Sequence, residues 1–481
     1  MPKKKQKSII KNSLFNMSYN ILNLIFPLIT AMYVSRILSP DGMGKIAYAQ
    51  NITSYFITFA AIGLPTYGIR EIAKARDDDK KLNKTFTELF LINFITTTVS
   101  VLVFIFIVFK GYINVERNLL LCTGITLFFN YINIDWFYQG LEEYVYIVYR
   151  NVAIKIFSIV MILLFVKTRQ DYLTYALITN TALAGNYVFN VFHARHFVKF
   201  DFSKISLRPH IQPLFILGIA VFLSTIYSKI DITMLGSMFS NKETGLYSNA
   251  FHLISILTTL SLSFSTVFLP RLSYFYHSDR EQFDELLQFG IKVISFFSIP
   301  IVVGLIILAR PLILFVFGDM FEGSISTIRI LSLLIVIKGF GDLLCYQLSI
   351  ATGHEKERLF AYFASACLNV VLNFLLIPVI GRNGAAIASV FSELLLNLIQ
   401  YFKMKQIVGY SLSPKPILFS LFSSGMMALG MIAIMHVLPF TNHLVIMLIA
   451  FVVGSTIYLV LNFLNKNELI MMTINKIRKH A

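Results

Sequence analysis

Residues 85–109 read TFTELFLINFITTTVSVLVFIFIVF, and the stretch before them, 70–84, reads REIAKARDDDKKLNK. At about 1.5 Å per residue, the first stretch is long enough to cross the roughly 30 Å hydrocarbon core of a bilayer as a helix. A helix is required rather than an isolated strand, because a span in lipid must satisfy its own backbone hydrogen bonds. The second stretch is the most charged in the chain and belongs in water.

The same alternation of apolar run and polar connection continues in both directions. It places spans at 14–34, 45–67, 85–109, 118–138, 150–167 and 171–192, then at 213–239, 245–268, 288–316, 325–350, 359–380 and 384–403. A final pair covers 416–437 and 443–464. The expected fold class is therefore an all-α polytopic membrane protein with about 14 transmembrane helices. Composition agrees: 56% of the 481 residues are hydrophobic and 14% charged, where a soluble chain carries about a quarter charged. No connection is long or polar enough to form a separate soluble domain.

Lys and Arg orient the spans. With the N-terminus inside, the inner segments 1–13, 70–84, 139–150, 193–212, 269–287, 351–358, 403–415 and 465–481 hold 27 of the 41 Lys and Arg. The outer connections hold 8: Arg36, Lys45, Lys110, Arg117, Lys167, Arg169, Lys242 and Arg382. Both termini are thus expected in the cytoplasm. The net charge of +16 reflects this orientation rather than nucleic-acid binding, since the charges are scattered among apolar spans. Residues 3–13, with Lys3, Lys4, Lys5, Lys7 and Lys11, suit a basic segment on an anionic inner leaflet. The run 14–34 has no small-x-small cleavage site and reads as a retained first helix rather than a signal peptide.

Other polar features favour plain roles. Cys122, Cys345 and Cys367 lie far apart in apolar stretches and match no metal or redox spacing. Asp77 and Asp79 have no nucleotide-sugar domain around them and read as part of a solvated loop. His193 and His196 sit in a basic inner loop, where a metal site is not expected.

A shift of 201 residues sets Ser39, Gly44 and Ala49 against Ser240, Gly245 and Ala250, both at an outer turn entering a second helix. Gly140-Leu-Glu also pairs with Gly353-His-Glu, each at the inner end of the fourth helix of a six-helix half. These matches favour a parallel duplication. The organisation is then a basic segment 1–13, an N-lobe 14–192, an inter-lobe loop 193–212, a C-lobe 213–403, two further helices in 416–464 and a tail 465–481.

Several segments resemble bacterial polysaccharide repeat-unit flippases, the Wzx-like family. In the first half these are Arg36-Ile-Leu-Ser-Pro-Asp-Gly-Met-Gly44, Gly63-Leu-Pro-Thr-Tyr-Gly-Ile-Arg-Glu71 and Trp136-Phe-Tyr-Gln-Gly-Leu-Glu142. In the second they are Asp231-Ile-Thr-Met-Leu-Gly236, Thr244-Gly-Leu-Tyr-Ser-Asn-Ala250, Phe268-Leu-Pro-Arg-Leu272, Thr352-Gly-His-Glu-Lys356 and Gly381-Arg-Asn-Gly-Ala-Ala-Ile-Ala388. The resemblance implies the multidrug/oligosaccharidyl-lipid/polysaccharide exporter superfamily, with two six-helix lobes around a central cavity plus two C-terminal helices. It further implies flipping of undecaprenyl-pyrophosphate-linked oligosaccharide across a bacterial cytoplasmic membrane, for O-antigen or capsule assembly, alongside membrane lipids and a polysaccharide polymerase. In lipid-linked-substrate transporters the last two helices can line a groove for the prenyl tail.

Such a load needs cations for its phosphates and hydrogen bonds for its sugars. Ionisable residues within spans are costly and mark such pathways. The candidate substrate-binding cations are Lys229, Lys338, Arg271 and Lys155. Arg271 follows Pro270 and can instead simply end a helix; Lys155 can snorkel. Arg310 and Arg329 read as interfacial. Asp231, Asp342 and Glu393 are candidates for proton or sodium coupling, with neutralisation by a neighbouring cation as the other reading. Lys338 and Asp342, four apart on one helix face, can pair. Asn130 with Asn133, and Asn369 with Asn373, suit sugar binding or interhelical hydrogen bonds. No cofactor, metal or covalent chemistry is expected. A multidrug or cation antiporter, or another lipid-linked precursor flippase, of the same superfamily is the alternative, and the excess of bases over acids in the spans weighs against the antiporter.

Overall fold

The computed structural model describes residues 9–203, 205–437, 442–472 and 474, with side chains from Phe26 onward except Phe264. The lysines before residue 9, the side chains of Lys11, Asn20 and Asn23, Lys204 and the tail from 475 lie outside the described residues. Among the described residues the chain is helical, without strands.

Eight helices come first: α1 (Ile9–Ala61), α2 (Leu64–Ala75), α3 (Asp79–Lys110), α4 (Arg117–Phe128), α5 (Asp135–Gly140), α6 (Tyr144–Phe165), α7 (Tyr172–Ala194) and α8 (Arg208–Met238). Nine follow: α9 (Asn241–Thr266), α10 (Leu269–Ser278), α11 (Arg280–Phe317), α12 (Ser324–Gly341), α13 (Leu348–Ala351), α14 (Arg358–Ile380), α15 (Arg382–Val408), α16 (Lys415–Val437) and α17 (His443–Leu464). Two compact units result, Met1–Gly245 and Leu246–Ala481. The division falls just inside α9, one helix beyond the loop at 193–212.

The helix α3 shows which solvent this fold is built for. Asn93, Thr97, Ser100, Phe104 and Val108 recur at helical spacing and are buried. Leu102, Phe106 and Phe109 point outward, with Leu102 62% exposed. Polar groups turned inward and apolar ones outward are what a lipid environment selects. The charged stretch before α3 is put to local use, as Asp78 caps the helix by accepting from the Lys80 and Lys81 backbone N–H groups at 2.9 and 3.2 Å.

Among the described residues, nine helices are long and apolar enough to cross a membrane. The difference from the spans read in sequence has physical causes. The spans at 14–34 and 45–67 merge into α1, which breaks only at Ser39 (φ 62°), where Pro40 keeps the preceding residue out of the α region. The single helix expected over 118–138 is interrupted by a 3₁₀ turn, Phe129–Ile132, and by extended Asn133. Asn93 donates to the freed carbonyls of Asn130 (2.7 Å) and Tyr131 (3.4 Å), so the break leaves them satisfied. The span 325–350 becomes α12, a π-helical segment Asp342–Gln347 and α13.

Motifs picked out in sequence turn out to be packing surfaces. A Cβ on Gly44 would overlap the Asn241 carbonyl, and one on Gly245 the Pro40 carbonyl, so the two repeat-related turns meet backbone to backbone. A Cβ on Gly68 would sit 2.7 Å from the Trp136 indole, which packs α2 onto α5 and holds Phe86, Phe137 and Tyr138 in one inner core. Tyr67, His210 and Glu88 form a buried chain, Tyr67 Oη to His210 Nδ1 at 2.8 Å and His210 Nε2 to Glu88 at 3.1 Å, that ties the inner loop to α2 and α3.

Candidate functional site

The first unit buries a polar network where the starts of α5 and α6 meet the end of α7. Arg150, 7% exposed, donates from Nη2 to Asp135 Oδ1 at 3.1 Å and from Nε to Asn186 Oδ1 at 3.0 Å, and also to Asn190 Oδ1. Asn190 Nδ2 donates to the same Asp135 oxygen at 2.6 Å. Arg150 falls in the segment 139–150 that the sequence assigns to an inner loop, and Asn186 and Asn190 lie in a span where no motif in the sequence marks a site. The available signal was the four-residue spacing of those asparagines on an otherwise apolar helix.

Beside this network lies a half-open cavity of about 380 Å³, lined by α1, α5, α6 and α7. Lys155 lines it, with Nζ 5.2 Å from the Phe26 ring centre, opposite the carboxylate-bearing wall of Asp135 and Asn186. A second network joins the limb of α1 after Ser39 to α8. Asn51 Nδ2 donates to the Lys229 carbonyl (2.9 Å) and to Thr233 Oγ1 (2.6 Å), and Tyr55 Oη meets Thr233 Oγ1 at 2.7 Å. The Lys229 side chain is half-buried, and no acidic oxygen among the described residues comes within ion-pair distance of it. Asp231, two residues on, is 6% exposed.

The second unit gathers three of the candidates around one small cavity of about 110 Å³: Lys338, Asp342 and Glu393, with Tyr346, Asn397 and Gln400. Lys338 Nζ lies 3.5 Å from Glu393 Oε2. The expected Lys338–Asp342 pair does not form: Asp342 opens the π-helical segment, and its Oδ2 accepts from Ser265 and from Gln347 Nε2 at 3.0 Å. The widened turn re-aims Asp342, and α15 supplies the acid in its place. Such π segments recur at functional positions. Arg358, 4.0 Å over the Tyr346 ring and 2.8 Å from Tyr362 Oη, stands beside this cluster and was not singled out in sequence.

Arg271 is exposed on α10, without an ion pair among the described residues. Arg310 pairs with Glu322 at 2.9 Å and Arg329 donates to the Ile306 carbonyl at 3.0 Å, both at exposed positions. Asn130 donates to Thr97 of α3 at 2.8 Å, an interhelical bond, while Asn133 donates locally to Asn130 at 3.1 Å. Asn373 donates to Asn369 at 3.0 Å. Cys345 is buried, Cys122 half-buried and Cys367 exposed, all as free thiols.

A third cavity, of about 590 Å³, is nearly all apolar and lies between α9, α11, α16 and α17. Phe296, Phe297, Met427, Met431, Phe451 and Tyr458 line it, and Pro300 within α11 borders it.

The model of a family described as polysaccharide biosynthesis protein matches residues 9–275, and the MatE family matches 217–375. A protein of Escherichia coli (strain K12) named as an O-antigen transporter is 23% identical, covering 78% of this chain and 91% of its own. The capsular polysaccharide biosynthesis protein CapF of Staphylococcus aureus is 23% identical, covering 83% and 100%. In fold, the chain is similar to the lipid II flippase MurJ in an inward closed conformation, with a TM-score of 0.66, 19% identity and coverage of 92% and 99%. It is also similar to an outward-facing multidrug resistance MATE family transporter, with a TM-score of 0.51, 17% identity and coverage of 83% and 94%. The chain is thus a multi-pass membrane transporter and not an enzyme, and it belongs to the polysaccharide biosynthesis protein family, the Wzx-like flippases of the multidrug/oligosaccharidyl-lipid/polysaccharide exporter superfamily.

Proposed function

We propose that this protein flips undecaprenyl-pyrophosphate-linked oligosaccharide repeat units from the inner to the outer leaflet of a bacterial cytoplasmic membrane by alternating access. The observation that carries this reading is Lys229: a half-buried ammonium on an apolar helix, with no acid in ion-pair reach among the described residues. Such a charge is expensive in a membrane unless an anion arrives to meet it. Lys155 in the same unit, and Lys338 beside Glu393 in the second unit, are further cations for the load. The apolar cavity bordered by α16 and α17 suits the prenyl tail. Arg271, exposed at the inner side, would meet the phosphates first. Asp342 and Glu393 supply the carboxylates for coupling to a proton or sodium gradient, and Asp231 a third. The oligosaccharide, membrane lipids and a polysaccharide polymerase are the partners in this scheme.

The cluster of Asp342 and Glu393 is the feature that favours a second reading, a multidrug or cation antiporter. A deletion strain separates the two. It should lose surface polysaccharide and accumulate lipid-linked repeat units, with unchanged resistance to cationic drugs; drug sensitivity with normal polymer would reverse the choice.

Orientation follows from the Lys/Arg bias, with both termini cytoplasmic. A single cysteine at Asp78, in a background without the three native cysteines, should react with an impermeant maleimide only after the cells are opened. Labelling in intact cells would invert the topology.

A further inference from the structure

We propose that Lys292 binds the phosphate of the load's prenyl carrier, and that Glu468 is a built-in anion competing for it, an autoinhibitory contact at one mouth of the apolar cavity. The inference rests on the reading above that this cavity takes the prenyl tail.

Three helices meet at the mouth. Gln288 of α11 donates from Nε2 to the Ser411 carbonyl at 2.5 Å and accepts from the Ser413 backbone N–H at 3.2 Å, which sets the start of α16 beside it. Tyr458 of α17 donates its hydroxyl to the Phe296 carbonyl of α11 at 2.9 Å. The chain beyond α17 then turns back at Lys466, with φ 51°. Asn467 fixes the turn: its Nδ2 donates to Asn462 Oδ1 at 2.7 Å, and its Oδ1 accepts from the Leu469 N–H at 3.1 Å. Leu469 and Ile470 pack against the cluster of Phe296, Met427, Met431 and Tyr458, all four of which line the cavity. This return carries Glu468 to Lys292, with 2.5 Å between Oε2 and Nζ.

Lys292 stands four residues before Phe296 on α11, so the two share a helix face and lie about 6 Å apart along the axis. The cavity, about 590 Å³ and nearly all apolar, therefore ends in an ammonium. Its complement is an apolar chain that ends in an anion, which is what a polyprenyl phosphate is. Both side chains of the ion pair are part-exposed, 39% and 49%. Ion pairs so exposed contribute little to folding, so Glu468 can give way without cost to the fold. The incoming phosphate oxygens accept the same ammonium protons, and the carboxylate turns to water.

The test uses the full chain in detergent micelles, with undecaprenyl phosphate, undecaprenol and phosphatidylglycerol as probes and native mass spectrometry as the readout. Glu468→Gln should bind undecaprenyl phosphate about fivefold more tightly than the native chain. Lys292→Gln should bind it about tenfold more weakly, the size of one charge-assisted hydrogen bond. The double variant should match Lys292→Gln, because Glu468 acts only through Lys292. Undecaprenol, which has no phosphate, should bind these four chains alike, and phosphatidylglycerol should gain nothing from Glu468→Gln. Gly304 lines the cavity, and a Cβ there has Met427 Cε, at 4.0 Å, as its neighbour. Gly304→Leu should accordingly weaken both polyprenyl probes alike. Affinity unchanged by Glu468→Gln, or tightening shared equally by phosphatidylglycerol, overturns the proposal. A melting temperature lowered by Glu468→Gln overturns it too, since the pair would then be structural. Flipping of lipid-linked oligosaccharide in liposomes is read separately: flipping without the Glu468→Gln effect removes the competing contact alone, and that effect without flipping removes the wider reading alone.

Discussion

Changing Lys229 or Lys338 to Ala should abolish polymer export, to below about a tenth of the native level, while leaving the protein in the membrane in normal amount. The two losses have different origins. At Lys229 the substitution removes a side chain without an ion pair among the described residues, while the contact of Asn51 to the residue-229 carbonyl stays. Folding should therefore tolerate it, and the loss reports on the load. At Lys338 the substitution also withdraws the 3.5 Å partner of Glu393, which is 8% exposed. The paired variant Lys338→Ala/Glu393→Ala removes that complication. Arg should restore more export than Gln at either position, because an anion requires charge rather than a hydrogen bond alone. Full complementation by Gln at both would leave the lysines as snorkelling or pairing residues, with no part in binding. The readout is surface polymer in a deletion strain, normalised to protein level.

Removing Arg150 should cost stability rather than transport alone. Its side chain is 5% exposed and that of Asp135 30%, so the pair sits largely out of water. Breaking a buried ion pair by deleting one partner costs about 3–5 kcal/mol, since the remaining charge is left desolvated. Arg150→Ala should accordingly lower the melting temperature in detergent by several degrees and expose α5–α7 to protease. Arg150→Met with Asp135→Asn should recover much of the loss, because neither charge then remains. An unchanged melting temperature for Arg150→Ala would show that water, not Arg150, solvates Asp135.

The helices were legible in sequence because lipid demands long apolar runs, and α3, α6, α8, α11 and α14–α17 occur where the runs are. What escaped was the interruption of helices by side chains acting on the backbone. Asn130 and Asn133 break the fourth span, and their spacing alone suggested only a shared face. The π segment at Asp342 has no composition of its own, so the pairing with Lys338 read from four-residue spacing went to Glu393 instead. The motifs at Gly63–Glu71 and Trp136–Glu142 were readable as a resemblance; that they are two sides of one contact, Gly68 against Trp136, needed tertiary structure. Lys338, Asp342 and Glu393 were each nameable because deep charge is rare in a membrane chain. Arg150 was not, because it begins a span and looked like part of an inner loop.

The central claim is that this chain moves a lipid-linked anionic glycan between leaflets without altering it. Purified protein reconstituted into liposomes that carry fluorescent undecaprenyl-pyrophosphate oligosaccharide in both leaflets tests it most directly. A membrane-impermeant glycosidase added outside should reach only the outer-leaflet half in protein-free liposomes and nearly all of the label in proteoliposomes, with the unprocessed lipid chemically intact before the enzyme is added. Lys229→Ala proteoliposomes should behave like the protein-free ones. Accessibility that stays at one half with native protein under every imposed proton and sodium gradient, or cleavage of the lipid-linked glycan by the protein itself, would contradict the account.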